Sequence, residues 1–186
     1  MAAYTLLPTA IGACALAWCG EAVTGAALPG ADESATVRAV TRTDSDCLRA
    51  DPPAWVRGVV APIQRLFEGK PLGFGDVALA LDRAAPFERS VYSQALAIPH
   101  GQIRTYGEIA RAVGQPGAAR AVGCALGRNP IPILIPCHRV LAAGGRSGGF
   151  SAPGGVLTKM RLLDIERARR GAQPGLFDAL GWAAKA

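Results

Sequence analysis

The sequence predicts a mixed α/β (α+β) protein. A small N-terminal α/β domain with a short sheet is expected over residues 1–85, a mainly helical domain containing a helix-turn-helix over 86–170, and a C-terminal tail over 171–186. Three observations point there. Short apolar runs broken by turn residues open the chain, helical periodicity dominates afterwards, and the two halves carry opposite charge. With 186 residues, 50% of them hydrophobic, the chain can bury a substantial core.

Thr9 to Trp18 and Ala22 to Leu28 read as two strands joined at Gly20-Glu21, a hairpin signal. The apolar opening from Ala2 to Gly30 lacks a basic leader and is interrupted by Gly12, Gly20 and Glu21. It therefore reads as core strand rather than signal peptide or membrane span. Asp32-Glu33-Ser34 starts a helix through Val37 and Val40, its acids favoured by the helix dipole. Asp44 to Pro53 is polar loop. Pro53 to Gly69 is a clear amphipathic helix, because Val56, Val59, Val60, Ile63, Leu66 and Phe67 recur at three- and four-residue steps. None of these segments carries recognisable chemistry, so residues 1–85 are expected to be structural.

Near Pro86 the character changes. Phe87, Val91, Ala95 and Ile98 form a helical stripe ending at Pro99-His100-Gly101. Thr105-Tyr106-Gly107-Glu108 is a capping box that opens a helix running to about Val113. Gly114-Gln115-Pro116-Gly117 breaks it, and Ala118 to Gly127 forms a second helix, giving the helix-turn-helix. Apart from Arg120 and, just past it, Arg128, this second helix is built from small residues, including Ala119 and Gly123. Such a surface allows close backbone approach and suits recognition of duplex shape and phosphates rather than base sequence.

Charge and cysteine content narrow the function. Residues 1–85 hold 7 Lys and Arg against 9 Asp and Glu, whereas residues 86–186 hold 13 against 5. That basic second half is the electrostatic footprint of a nucleic-acid binder. Five cysteines without a Cys-x-x-Cys pair, and only two histidines, signal neither a disulfide framework nor a zinc site. A reducing cytoplasm is the expected compartment, with no metal and no cofactor.

The run from Asn129 to Val140 concentrates the chemistry. Ile131, Ile133 and Ile135 alternate with Pro132, Leu134 and Pro136, which predicts an extended segment barred by its prolines from a regular sheet. At its end stand Cys137, His138 and Arg139. Only a thiolate is a strong nucleophile, and this neighbourhood offers a base and a positive field. On an extended chain Cys137 and His138 would face opposite ways and communicate through a water or a local bend. A buried structural cysteine is the plain alternative for such a pair.

Pro136-Cys137-His138-Arg139-Val140, preceded by Asn129-Pro130 and by Ala119-Arg120-Ala121-Val122-Gly123, resembles the signature of the O6-alkylguanine-DNA alkyltransferases. The likeness runs from about Phe87 to Glu166. It implies DNA repair by irreversible, single-turnover transfer of an alkyl group from O6 of guanine in duplex DNA to an internal cysteine. The base is flipped because O6 is paired and stacked inside the duplex.

The resemblance also implies roles. Cys137 is the nucleophile, His138 takes its proton through water, Glu166 orients His138, and Asn129 braces the active-site turn. Tyr106 helps rotate the nucleotide and donates a proton to the leaving base, and Arg120 fills the vacated stack. Ser151 and the backbone around Val140 and Phe150 read the guanine edge. Ala119, Gly123, Arg128 and Lys159 complete the binding set. By composition alone Tyr106 would be a core aromatic, Arg120 a surface charge, and Glu166 a surface carboxylate paired with Arg169 or Arg170. Asp164 is the rival to Glu166.

Glu166 and Lys159 are expected on one helix, Val156 to Arg170, with Leu162 and Leu163. Two departures from the family pattern stand out. Phe150 replaces a common tyrosine, and Ala152-Pro153 lengthens the glycine-rich loop by two residues, which bears on the range of alkyl groups accepted. A zinc ligand set seen in some relatives has no counterpart in Cys14, Cys19 and Cys47. In the tail, Gln173, Leu176 and Phe177 fit a Gln-x-x-Leu-Phe clamp-docking form, so a sliding clamp is a possible second partner. A non-catalytic lesion sensor or DNA-binding regulator is the alternative function, and a Cys-His hydrolase, which would turn over repeatedly, a further rival.

Overall fold

The computed structural model describes residues 1–70 and 76–168. Its N-terminal half is a sheet of order β3-β2-β1-β4, formed by β1 (Ala2–Thr9), β2 (Gly12–Cys19), β3 (Ala22–Ala27) and β4 (Leu48–Arg49). β1, β2 and β3 are antiparallel neighbours, and β4 runs parallel to β1. The hairpin at Gly20-Glu21 is present, but Thr9 ends a separate strand instead of starting the next. Pro8 masks β1 in the sequence. It is tolerated because β4 reaches only Ala3 and Tyr4, so the outer side of Pro8 needs no donor.

Alternation along β2 sends its residues to two layers. Ala15 and Ala17 pack with Val40 and Cys47 beneath α1 (Glu33–Val40), where their small size admits the helix. Cys14, Leu16 and Trp18 face the other way, toward α2 (Ala54–Phe67). Asp32 caps α1 by accepting from the Ala35 N–H at 2.6 Å, as its position predicts. The loop expected over Asp44 to Pro53 contains β4.

That second layer continues without a break into the C-terminal half. Leu7, Leu16, Val23 and Ile63 belong to the same buried cluster as Val91, Ile109, Val122, Ile135 and Cys137. The Ala26 N–H donates to the Pro130 carbonyl at 3.1 Å, tying β3 to the segment before Cys137. α3 (Pro86–Leu96) packs on α5 (Ala119–Gly127), where the Tyr92 hydroxyl donates to the Ala125 carbonyl at 3.0 Å.

α4 (Tyr106–Ala112) opens on the expected capping box. The Glu108 N–H donates to Thr105 Oγ1 at 3.2 Å, and Glu108 Oε2 accepts from the Thr105 N–H at 2.6 Å. Just before it, β5 (Arg104–Thr105) pairs in parallel with β6 (Val140–Leu141), which sets Tyr106 beside the segment leaving the cysteine.

α6 spans Gly155–Ile165, shorter than the expected Val156 to Arg170. Arg167 adopts φ 48°, and the Ala168 N–H turns back to the Leu163 carbonyl at 2.9 Å. A left-handed residue closed by this bond is a Schellman-type stop, and it turns Glu166 inward. Arg169, Arg170 and the clamp-like tail motif lie outside the described residues. Among the described residues no helix is long and apolar enough to cross a membrane.

Candidate active site

The segment carrying Cys137 is a closed loop, not the extended run its sequence predicts. The Asn129 side chain accepts from the Ile131 N–H at 3.0 Å and donates to the Ile135 carbonyl at 2.9 Å, pinning both ends. Between them the Ile135 N–H donates to the Ile131 carbonyl at 2.9 Å, and Ile133 is forced to φ 79°. A β-branched residue pays roughly 1–2 kcal/mol for that backbone. Burial of the Ile133 side chain in the core offsets it. The chain then enters a single 3-10 turn, Cys137–Arg139, which supplies the bend between the cysteine and histidine.

Cys137 is 7% exposed. Burial pushes its thiol pKa up. A hydrogen bond from Asn129, the Lys159 charge and nearby backbone N–H groups act in the opposite direction. The sulfur is therefore a protonated thiol at rest that needs a base, set among groups that favour the thiolate once it forms.

His138 is buried and its pKa is lowered, first by burial and against the pull of Glu166, so the ring is neutral near pH 7. Its Nε2 lies 2.9 Å from Glu166 Oε1. A carboxylate there fixes the Nε2–H tautomer and leaves Nδ1 as the proton acceptor. Burial acts to raise the Glu166 pKa, but hydrogen bonds and charge from His138 and Arg139 prevail and hold it near 2.

Arg139 explains how that carboxylate stays ionised. Its guanidinium grips Glu166 through Nε to Oε2 at 2.8 Å and Nη2 to Oε1 at 2.9 Å, while Nη1 donates to the Ile98 carbonyl at 2.7 Å. The positive field expected at the sulfur from Arg139 is thus committed to Glu166. Its sequence signal was an arginine inside the run Ile131 to Leu141, which is apolar apart from Cys137 and His138. Glu166 is neither a surface carboxylate nor replaced by Asp164, which is exposed.

Lys159 supplies the charge near sulfur. It is 0% exposed, with its ammonium held inside the protein. It stands on the inner face of α6 with Leu162 and Leu163, and Nζ donates to Val140 O at 2.6 Å, Tyr106 Oη at 3.3 Å and Gly149 O at 3.4 Å. Burial lowers its pKa to about 8 against the opposing influence of Cys137. The Val140 carbonyl is therefore already engaged on one side.

Tyr106 also donates to Gly149 O at 3.3 Å, and burial, then Cys137, raises its pKa, keeping the phenol a proton donor. A Cβ on Gly148, at φ 65°, would lie 2.7 Å from the Tyr106 ring, so only glycine fits there.

These walls enclose a cleft of about 1110 Å3. The helix-turn-helix contributes Tyr106, Ala119, Arg120 and Gly123, the glycine-rich loop contributes Phe150 and Ser151, and Cys137 lies on its surface. Arg120 and Ser151 are exposed along it. Arg128 is exposed as well and bonded to Glu88 at 2.6 Å.

Residues 86–168 match the family model described as 6-O-methylguanine DNA methyltransferase, DNA binding domain. A methylated-DNA-protein-cysteine methyltransferase of Mycobacterium bovis is 46% identical over 128 residues, covering 69% of this chain and 74% of the relative. The chain belongs to the methylated-DNA-protein-cysteine methyltransferase family. The crystal structure of the Mycobacterium tuberculosis O6-methylguanine methyltransferase superposes with a TM-score of 0.74 at 36% identity, covering 93% of this chain and 97% of that one. That of Mycobacterium tuberculosis OGT in complex with DNA gives 0.71 at 37% identity, covering 91% and 95%. The methyltransferase likeness thus spans both halves, including the N-terminal residues whose sequence alone was uninformative.

Proposed function

We propose that this protein repairs DNA by moving an alkyl group from O6 of guanine in a duplex to Cys137, where it stays. The observation that carries this reading is a nearly buried thiol on the wall of a helix-turn-helix cleft, adjoining the hydrogen-bonded His138–Glu166 pair.

The target atom lies inside a paired, stacked duplex, so the damaged nucleotide must leave the stack and enter the cleft. Small residues at Ala119 and Gly123 let α5 lie close to the backbone, and Arg120 occupies the space the nucleotide leaves. His138 Nδ1 takes the thiol proton through a water, and Glu166 stabilises the imidazolium. Lys159 and Asn129 support the thiolate. The sulfur attacks the alkyl carbon in line, the S–C bond forms as the C–O6 bond breaks, and the electron pair passes to guanine. Tyr106 delivers the proton that neutralises the leaving base. Lys159 also fixes Tyr106 and the Gly149 carbonyl, so one buried cation aligns two walls of the pocket.

The product is a thioether, which has no carbonyl for water to attack, so each molecule acts once. A non-catalytic lesion sensor would have no use for a nucleophile provided with a proton acceptor, and a Cys-His hydrolase would form a cleavable acyl intermediate. Free cysteines at all five positions suit a reducing cytoplasm.

Incubation with O6-methylguanine duplex followed by intact-mass measurement should yield one methyl per protein, mapping to Cys137. Cys137→Ala should bind the duplex and gain no mass. Clearance of a molar excess of lesions, or an adduct on another residue, contradicts the reading.

A further inference from the structure

Arg128 stands at the C-terminal end of α5, and a single side-chain contact sets its direction. Its Nε donates to Glu88 Oε1 at 2.6 Å. The other oxygen of that carboxylate, Oε2, accepts from the Ala85 N–H at 3.0 Å, at the start of α3. Glu88 is thus a post anchored to the backbone through one oxygen and holding the guanidinium through the other. Its side chain is 14% exposed, whereas that of Arg128 is 66% exposed. The bond from the Ala85 N–H, then the bond from Arg128, holds the Glu88 pKa below the usual carboxylate range, so the post stays charged at neutral pH.

This mode of contact leaves the other end of the side chain open. A guanidinium can pair along its Nε side or through the fork of its two Nη groups, and here the Nε side is used. Neither Nη has a hydrogen-bond partner among the described residues. That fork matches two oxygens of a phosphate. An exposed ion pair adds little to stability by itself. Its larger effect is on where the fork points.

The position on α5 says what the fork would meet. Arg120 and Arg128 are eight residues apart, which is about 12 Å along a helix and about 80° around it. With Arg120 directed into the vacated stack, Arg128 leaves the helix to one side. In a groove as narrow as the minor groove, about 6 Å wide, a side chain leaving sideways meets a strand and its phosphates rather than base edges.

We infer that Glu88 is a positioning residue for DNA binding: it aims Arg128 so that the two Nη groups clasp one phosphate of a strand beside the flipped nucleotide. The inference rests on α5 meeting DNA as proposed above. It reverses the ordinary expectation for an acidic side chain near a duplex. Such a carboxylate repels phosphates, so removing it should tighten binding. Here the alignment of the cation outweighs that repulsion.

The test measures equilibrium binding of the full chain to an undamaged duplex over a series of salt concentrations, so no transfer step enters. Arg128→Ala should reduce the slope of log affinity against log salt by about one. Glu88→Gln keeps an oxygen for the Ala85 N–H and loses the charge that grips Arg128. It should weaken binding about twofold to fivefold, the range of an exposed pair. In the Arg128→Ala background the same change should have no effect or should tighten binding, since only repulsion is left to remove. A merely structural role for Glu88 would weaken both backgrounds equally. That result overturns the inference, as does binding by Glu88→Gln that equals or exceeds wild type, or an unchanged slope in Arg128→Ala. Failure of the wild-type protein to bind the duplex, or to take up methyl on Cys137, would instead remove the DNA-repair reading itself.

Discussion

Glu166 holds two buried cationic groups in check at once, Arg139 permanently and His138 whenever it is protonated. Removing a partner from such a cluster costs far more than the cluster itself contributes, because the remaining charge is stranded away from water. Glu166→Gln keeps the shape and deletes the charge. It should slow methyl transfer at least about a hundredfold, the scale of a lost proton-transfer relay. It should also cost about 3–5 kcal/mol of folding stability. Single-turnover mass measurements and denaturant titration check the two effects separately, and a rate within twofold of wild type would contradict the relay. The family resemblance points to Glu166, but not to the guanidinium fork, because nothing local says that Arg139 points inward.

At the level of elements, the wall formed by the glycine-rich loop is set by how closely its backbone meets Tyr106. Gly148→Ala places a carbon inside the tyrosine ring's contact distance and also asks alanine to hold φ 65°. The ring or the loop must move. A displacement of that size should reduce the transfer rate on the order of tenfold to a hundredfold. The accompanying stability loss should be about 1 kcal/mol. Gly58→Ala on α2, away from the cleft and where a Cβ meets nothing within 4 Å, is the control and should lower neither rate nor melting midpoint.

Elements stabilised by their own residues were legible in the chain. The Thr105–Glu108 box and the stripe Val56, Val59, Ile63, Leu66 of α2 name their helices directly. The loop before Cys137 was not, since its shape comes from the Asn129 amide bridging six residues and from the core accepting Ile133. The burial of Lys159 was hidden for a similar reason: three acceptors gathered from distant segments make it tolerable, and none of them adjoins Lys159 in sequence.

For the whole molecule, folding is coupled to pH through the same carboxylate. Glu166 has a folded pKa near 2 against an ordinary 4.5. As pH falls, the unfolded chain binds the proton first, so this contribution is fully present above pH 4.5 and disappears toward pH 2. Its size is about 3 kcal/mol. Denaturant unfolding at pH 6 and at pH 3 should reveal the loss, and Glu166→Gln should be less sensitive to the change. An equal loss in both proteins would place the acid sensitivity elsewhere. The basic bias of residues 86–186 was readable from composition, whereas the meeting of Arg139 with Glu166 needed the tertiary fold.

Ile133 ties these scales together. Its left-handed backbone is offset by burial of its side chain in a core cluster that draws on both halves of the polypeptide. Without that burial the isoleucine would relax toward ordinary dihedrals, carrying the adjoining peptide units with it. Placement of the sulfur therefore depends on packing several residues upstream of it, in a stretch of chain that touches no substrate.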